Sequence, residues 1–397
     1  MIIKPSIRSN FFTNCHPYGC RQNVFNQIQE AKAFDKFEGP KNALIIGGSS
    51  GYGLASRIAL AFGAGSNTLN VSFESAPKAK KTGTSGWWNN IYFQELAKET
   101  NHIHKDFIGD AFSKEMKENV MEYAKKHLGK FDLVIYSLAS GGRLNYETNE
   151  IIKSHIKTIG EDAKGKTIDI LDLEVKELVV TSATEQEVKD TVYVMGGSDW
   201  HDWIDILDQN DLLNPEAKTI SYTYVGGPTT EKIYRGGTVG KAKEDLERHA
   251  VLMNELMKKK YNGEALISSS KAVATKASVY IPSMTNYISC LYDVMVRKGV
   301  HESILEHKYR LFKDMIYGDK RIVDSQNRIR VDHLEMEEHI QKETVHMMET
   351  ISNEDLLQLN GTKLFLRDIY QINGFEFDNI NYDDDVDIDH LAELQPE

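Results

Sequence analysis

The sequence predicts an α/β fold, a mostly parallel sheet with helices on both faces. Three observations lead there. Strand and helix patterns alternate over residues 42–138. A glycine loop, Gly47-x-x-x-Gly51-x-Gly53, stands between the first strand and the first helix of that run. Two further strand-like runs, 219–225 and 265–269, flank a helical pattern at 238–258.

Taken in order, residues 1–40 are polar, with a helix expected near 24–37. Residues 42–46 (Asn-Ala-Leu-Ile-Ile) read as a short buried strand, and 54–62 as an apolar helix stopped by Gly63 and Gly65. A second strand is expected at 68–73, a helix at 88–100, a third strand at 102–107, a well-patterned helix at 113–127 and a strong fourth strand at 132–138. After residue 145 the rhythm breaks. Residues 167–181 alternate and suggest a hairpin outside the main sheet, while 284–315 and 335–350 are amphipathic helical patterns. The 381–389 stretch is acidic and lacks the spacing of a calcium loop. No internal repeat or low-complexity linker interrupts the chain. One enlarged domain over 1–397 is therefore expected, with an N-terminal segment (1–80) holding the glycine loop, a catalytic core (81–320) and a C-terminal helical and tail region (321–397).

Composition narrows the function. The 397 residues are 41% hydrophobic and 27% charged, which is ordinary for a globular enzyme. The formal charge of −12 disfavours nucleic acid and anionic membranes as partners. The longest apolar stretch, 279–296, is broken by Pro282, Asn286 and Asp293, so no transmembrane helix is expected. The N-terminus has no apolar core of a signal peptide. Cys15, Cys20 and Cys290 complete no zinc set, and a reduced, cytoplasmic setting is expected, with no metal. His339, Glu343 and His346 share a helical face without a metalloprotease pattern and read as solvated; Trp200 and Trp203 read as packing residues.

The glycine loop carries the first chemical reading. Missing β-carbons let the backbone turn tightly and approach a pyrophosphate, and the helix that follows offers free N–H groups. Glu74 ends the second strand, where an acid accepts hydrogen bonds from ribose hydroxyls and repels a 2′-phosphate, so NADH is the expected cofactor. Asp110 follows the third strand and is placed to touch the adenine; Ser137-Leu-Ala-Ser140 ends the fourth, beside the nicotinamide half.

The second reading is the pair Tyr234 and Lys243 in Ile233-Tyr-Arg-Gly-Gly-Thr-Val-Gly-Lys-Ala-Lys243. Reduction of a polarised double bond needs an acid beside the hydride donor, and an ammonium near a phenol lowers its pKa. In one unbroken helix the two would sit about 13.5 Å apart on opposite faces. Cooperation therefore requires a break, which Gly236-Gly237 supplies, with Tyr234 on a loop or first turn, Thr238 near a helix start and Lys243 inside. On geometry alone Lys241 competes with Lys243. Of Tyr222 and Tyr224, which close the preceding strand, one is expected in the core and the other at the active edge.

These residues resemble the trans-2-enoyl-CoA reductases and their FabV-type enoyl-acyl-carrier-protein reductase relatives. The likeness runs along nearly the whole chain: His16-Pro-x-Gly-Cys20, Gly51-Tyr-Gly-Leu-Ala-Ser-Arg57, Val71-Ser-Phe-Glu74, Gly86-Trp87, Asp110-Ala-Phe112, Tyr136-Ser-Leu-Ala-Ser140, Val194-Met-Gly-Gly197, Gly361 and the Tyr-x8-Lys pair. The resemblance implies an enlarged Rossmann-type doubly wound sheet with a small extra β-hairpin and a helical substrate-covering region. It implies that Gly47, Gly48, Ser49, Ser50, Gly51 and Tyr52 cradle the NAD pyrophosphate. Phe73 and Glu74 would hold the adenosine ribose, Asp110 and Ala111 the adenine, and Leu138, Ala139, Val273, Ala274 and Thr275 the nicotinamide end. Tyr234 would be the proton donor, Lys243 its cofactor-binding partner in preference to Lys241, and Tyr224 a substrate contact. The implied reaction is NADH-dependent reduction of an enoyl-CoA or enoyl-acyl-carrier-protein thioester, by a chain expected to work as a monomer. Gly141-Gly142 departs from the family's usual proline after Ser140, and Lys276 from its usual Gln or Arg. A carbonyl reductase on the same scaffold, or an NAD-binding regulator without turnover, would use the same loop.

Overall fold

The computed structural model describes residues 1–396 apart from 80, 232, 233, 277, 280 and 282, and without the Pro228 side chain. Ile233 and Pro282, named above, lie outside the described residues. Seven parallel strands form the central sheet: β1 (Asn42–Ile46), β2 (Asn67–Ser72), β3 (His104–Ile108), β4 (Phe131–Tyr136), β5 (Leu213–Thr223), β6 (Glu264–Ser269) and β7 (Ile329–Arg330). Their order across the sheet is β7-β6-β5-β4-β1-β2-β3, a doubly wound topology whose direction of progress reverses between β1 and β4.

Alternation along each strand feeds two cores. Ala43 and Ile45 of β1, Leu133 and Ile135 of β4, and Ile220 and Leu266 pack on one face against the helix Gly51–Ile58 and the helix Ile304–Arg310. Leu44, Ile46, Leu69, Val71, Val134 and Ile267 face the other way, onto the helices Ser198–Gln209 and Thr238–Tyr261. A third cluster forms the helical cover. Its helices Met284–Arg297 and Asn360–Ile372 approach so closely that a β-carbon on Gly361 would lie 2.1 Å from the Ser289 carbonyl oxygen. Among the described residues no helix is long and apolar enough to cross a membrane, and no group of three or more ligand side chains is gathered for a metal.

Several local expectations shift. The first helix runs Pro17–Ala33, not 24–37, because Pro17 suits a first helical position and His16 Nδ1 accepts the Gly19 N–H. The hairpin expected at 167–181 pairs Ala163–Asp169 with Glu174–Val180, and a second ribbon, Gly142–Asn145 with Glu150–Lys153, joins it outside the sheet. The helical run at 284–315 is interrupted after Arg297, where Gly299 takes a φ of +68°. Two helices that the sequence analysis did not mark, Glu185–Met195 and Ser198–Gln209, lie between the hairpins and β5. The second of them puts Trp200 and Trp203 fully inside the core. Glu343 pairs with Arg297 and Lys298 on the surface, as expected of a solvated face.

Candidate active site

The residues singled out from the sequence gather at or just beyond the carboxyl ends of six strands, on the edge where open parallel sheets take ligands. Gly47 follows β1, Phe73 and Glu74 follow β2, and Asp110 and Ala111 follow β3. Leu138 and Ala139 follow β4, Tyr224 follows β5, and Val273, Ala274 and Thr275 follow β6.

The glycine loop is folded tightly back on itself. Gly47 has a φ of +93°, and a β-carbon there would sit 2.3 Å from the Ser137 carbonyl oxygen and 3.0 Å from Leu138 Cδ2. A β-carbon on Gly53 would sit 2.0 Å from the Gly47 carbonyl oxygen. Gly48 N–H donates to Asn70 Oδ1 (2.8 Å), and the Asn70 amide donates to Asp106 Oδ1 (2.7 Å). Asp106 in turn receives a two-pronged bond from the fully buried Arg57 (2.7 and 3.1 Å). A buried ion pair thus holds the loop from beneath. Ser50 stands at the N-cap of Gly51–Ile58 without a capping bond, leaving the first N–H groups of that helix available to an anion. The cradle fits a dinucleotide pyrophosphate.

Glu74 is drawn into this loop. Its Oε1 accepts the Ser49 hydroxyl (2.5 Å), and its Oε2 accepts the Thr84 hydroxyl. Gly86 leaves room for it, since a β-carbon there would lie 2.0 Å from Glu74 Oε1. Phe73 beside it is 81% exposed. Asp110 turns elsewhere: its Oδ1 accepts the Phe112 N–H and its Oδ2 the Tyr146 hydroxyl (3.0 Å), while Ala111 is buried. On the other side, the Tyr52 hydroxyl donates to the Lys271 carbonyl oxygen (2.5 Å), and Thr275 Cγ2 would lie 3.6 Å from a β-carbon on Gly51. The loop and the 271–275 segment therefore face one another. A cavity of about 410 Å³ opens beside Ser50, Gly51, Val273 and Ala274.

The tyrosine–lysine pair is arranged by the predicted break. Tyr234 lies in the turn before the helix Thr238–Tyr261, and its carbonyl oxygen accepts the N–H groups of Gly237 (3.2 Å) and Gly240 (2.9 Å). Lys243 lies buried inside that helix, where Nζ donates to the Tyr222 carbonyl oxygen (3.1 Å). Lys241 points outward to Glu244. Two residues apart in a continuing strand, Tyr222 and Tyr224 would share a face, but β5 stops at Thr223. Tyr222 stays in the core with its hydroxyl on Ser56 Oγ (2.6 Å), and Tyr224 leaves to meet the Tyr234 ring edge-on, 5.0 Å between centroids at 89°.

Burial decides the electrostatics. It pushes the Tyr234 phenol well above its ordinary value, partly offset by the Arg235 guanidinium. The expected lowering by Lys243 is not what the structure gives: burial pushes that ammonium down to about 8, and it spends its bond on the Tyr222 carbonyl.

One group at the site escaped the sequence analysis. Glu335, fully buried, accepts the hydroxyls of Tyr224 (3.2 Å) and Tyr287 (2.7 Å) on Oε1 and the Ala272 N–H (2.6 Å) on Oε2. It sits in the acidic run Asp332-His-Leu-Glu-Met-Glu-Glu338, and nothing in that pattern separates it from the half-exposed Glu337 and the exposed Glu338.

Comparison with known proteins places the whole chain. Residues 2–79 match the NAD(P)H binding domain of trans-2-enoyl-CoA reductase, 81–317 its catalytic region, and 323–386 the enoyl reductase FAD binding domain. A trans-2-enoyl-CoA reductase [NADH] of Clostridium beijerinckii is 45% identical over 398 residues, covering 100% of both chains. An enoyl-[acyl-carrier-protein] reductase [NADH] of Photobacterium profundum is 43% identical, covering 99% of this chain and 100% of its own. The crystal structure of the Clostridium acetobutylicum trans-2-enoyl-CoA reductase with NADH is 42% identical and superposes over 100% of both chains with a TM-score of 0.97. That of the Treponema denticola enzyme with NAD, also 42% identical, covers 97% of this chain and 98% of its own at 0.90. The chain belongs to the trans-2-enoyl-CoA reductase family.

Proposed function

We propose that this protein reduces the carbon–carbon double bond of trans-2-enoyl thioesters to saturated acyl thioesters, with NADH as the donor. The observation that carries the reading is the buried Tyr224–Tyr234 pair, held at the carboxyl edge of the sheet beside the glycine cradle. Bound in the cradle by Gly47 to Tyr52, Glu74 and the 273–275 segment, NADH supplies the hydride for the β-carbon. Tyr234 hydrogen-bonds the thioester carbonyl oxygen as it gathers negative charge and gives it a proton, and the resulting enol tautomerises to the saturated thioester as its α-carbon gains a proton and its oxygen loses one. Raised by burial, this phenol keeps its proton at neutral pH until that charge develops. Lys243, at the start of the adjoining helix, holds the ribose hydroxyls. Tyr224 fixes the thioester, and the helical cover excludes water.

Residues 323–386 do not fit a second dinucleotide. They contain no strand–glycine loop–helix unit, and their two glycines pack against backbone, Gly361 on Ser289 and Gly374 on His16. No step here runs through a flavin.

CoA is the proposed carrier, on the likeness to the Clostridium beijerinckii trans-2-enoyl-CoA reductase [NADH]; an acidic carrier protein would need a local basic patch on a chain of charge −12. The proposed setting is the cytoplasm, in keeping with three buried free cysteines. The proposed working unit is the monomer. The test is NADH oxidation with crotonyl-CoA. Wild type is expected to form butyryl-CoA, and Tyr234→Phe to lose about 10²–10⁴-fold in kcat. Equal rates would remove Tyr234 as the acid, and an alcohol product would point to a carbonyl reductase.

A further inference from the structure

Tyr224 has one hydroxyl hydrogen, and the direction in which it points decides what the residue offers a substrate. We propose that Glu335 is a positioning residue for the reduction: its carboxyl sets the direction of the Tyr224 hydroxyl hydrogen and ties that side chain to the segment lining the cofactor site. The inference rests on the reading above that Tyr224 meets the thioester.

The bonding around Glu335 leaves few arrangements. Oε2 accepts the Ala272 N–H (2.6 Å), a donor that cannot reverse. The Tyr287 hydroxyl accepts from the Gln341 amide (2.9 Å), and its own hydrogen goes to Oε1 (2.7 Å). Tyr224, 3.2 Å from Oε1, is the partner whose bond can run either way. With the carboxylate ionised, Tyr224 donates to Oε1 and shows the site only lone pairs. With Oε1 protonated, the acid donates to Tyr224, and the tyrosine hydrogen is freed from Glu335; the Thr230 and Tyr287 hydroxyls also lie in hydrogen-bonding reach of the Tyr224 oxygen. A thioester carbonyl accepts hydrogen bonds and donates none, so only the second arrangement lets Tyr224 hold it.

The surroundings put this exchange in a useful range. Burial pushes the Glu335 carboxyl up to about 7, against the hydrogen bonds from Tyr287 and Ala272 that favour the ionised form. Asp332 from the preceding turn raises it further, and the buried Lys271 ammonium, from the segment after β6, pulls it down. Tyr224 faces it from the end of β5, Tyr287 and Tyr292 from the cover helix, and Tyr52 from the glycine-loop helix. A carboxyl raised in this way is neutral below the titration and ionised above it. Donation by Tyr224 is therefore present at low pH and lost as pH rises through about 7.

Two measurements test this. The first is kcat for crotonyl-CoA between pH 6 and 9. Wild type is expected to fall above pH 7 by up to about tenfold per unit. Glu335→Gln keeps an acceptor for Ala272 and turns an amide N–H to Tyr224, so its kcat is expected to be flat over the same range, with KM for NADH unchanged. Glu338→Gln, an exposed neighbour, should keep the wild-type profile. The second is the NMR titration of Cζ-labelled tyrosine, with the Tyr224 signal assigned by its loss in Tyr224→Phe. That signal should titrate near pH 7 in wild type and stay fixed in Glu335→Gln. Parallel profiles for wild type and Glu335→Gln, or a Tyr224 signal that titrates identically in both, would overturn the proposal. A wild type that oxidises no NADH with enoyl thioesters would overturn the substrate reading instead, and the NMR titration would still decide the hydrogen's direction.

Discussion

Lys243 and Lys241 stand two residues apart on one helix and have opposite fates. Lys241 is 46% exposed and paired with Glu244, an arrangement worth about 0–1 kcal/mol. Lys243 is buried, and burial lowers its pKa to about 8. A buried ammonium that holds ribose hydroxyls contributes about 1.5–3 kcal/mol through charge-assisted bonds. Lys243→Met is accordingly expected to raise KM for NADH by about tenfold or more, and Lys241→Met to stay within about twofold. The sign with pH follows from the lowered value. The charge is present below about pH 8 and lost above it, so the wild-type KM for NADH should climb above pH 8 while that of Lys243→Met stays level. Steady-state kinetics on both variants across pH 7–9 check this. Single-residue chemistry was legible where spacing constrained it, as in the break that Tyr-x8-Lys demands. Glu335 was hidden because its importance comes from three partners at positions 224, 272 and 287, which only tertiary packing brings together.

At the scale of elements, the strand–loop–helix unit at 42–58 shows why some glycines tolerate a side chain and others do not. A β-carbon on Gly53 meets backbone, the Gly47 carbonyl oxygen at 2.0 Å, and backbone there cannot retreat without opening the turn. Gly53→Ala is expected to abolish the rise in melting temperature that NADH gives the wild type and to lower stability by about 1–3 kcal/mol. A β-carbon on Gly86 meets the far end of a side chain, Glu74 Oε1 at 2.0 Å. Gly86→Ala should therefore fold, but with Glu74 displaced from Ser49 and with a smaller preference for NADH over NADPH. Thermal melts with each nucleotide separate the two outcomes. The strands β1 and β4 were readable to within about two residues because each is a short, mostly apolar run bounded by glycine or polar residues, and β2 because Leu69 and Val71 alternate with polar residues. β7 was not, since two residues carry no period. The ribbon Gly142–Asn145 with Glu150–Lys153 escaped for another reason: its first strand is half-buried, its second largely exposed, and neither shows apolar alternation.

At the scale of the molecule, the three matched segments cut across the sheet. Residues 2–79 hold β1 and β2, residues 81–317 hold β3 to β6, and residues 323–386 hold β7. In the order β7-β6-β5-β4-β1-β2-β3, removal of the first segment takes out the two strands that join β4 to β3. β3 would then have no strand beside it, and Asp106 on it would lose Arg57, its buried partner. One hydrophobic core likewise draws Val24 and Ile28 from the first segment, Leu133 and Leu266 from the second, and Ile329 and Val331 from the third. Sequence alone suggested a single unit from the lack of a linker; the strand order gives that suggestion a mechanism. The whole chain is therefore expected to unfold in one cooperative transition, followed by circular dichroism and by tryptophan fluorescence with coincident midpoints. Residues 81–317 expressed alone should show no such transition, because breaking a buried ion pair by removing one partner costs about 3–5 kcal/mol and the sheet is divided as well. A cooperative, native-like melt of that fragment would mean that the catalytic region is a domain in its own right.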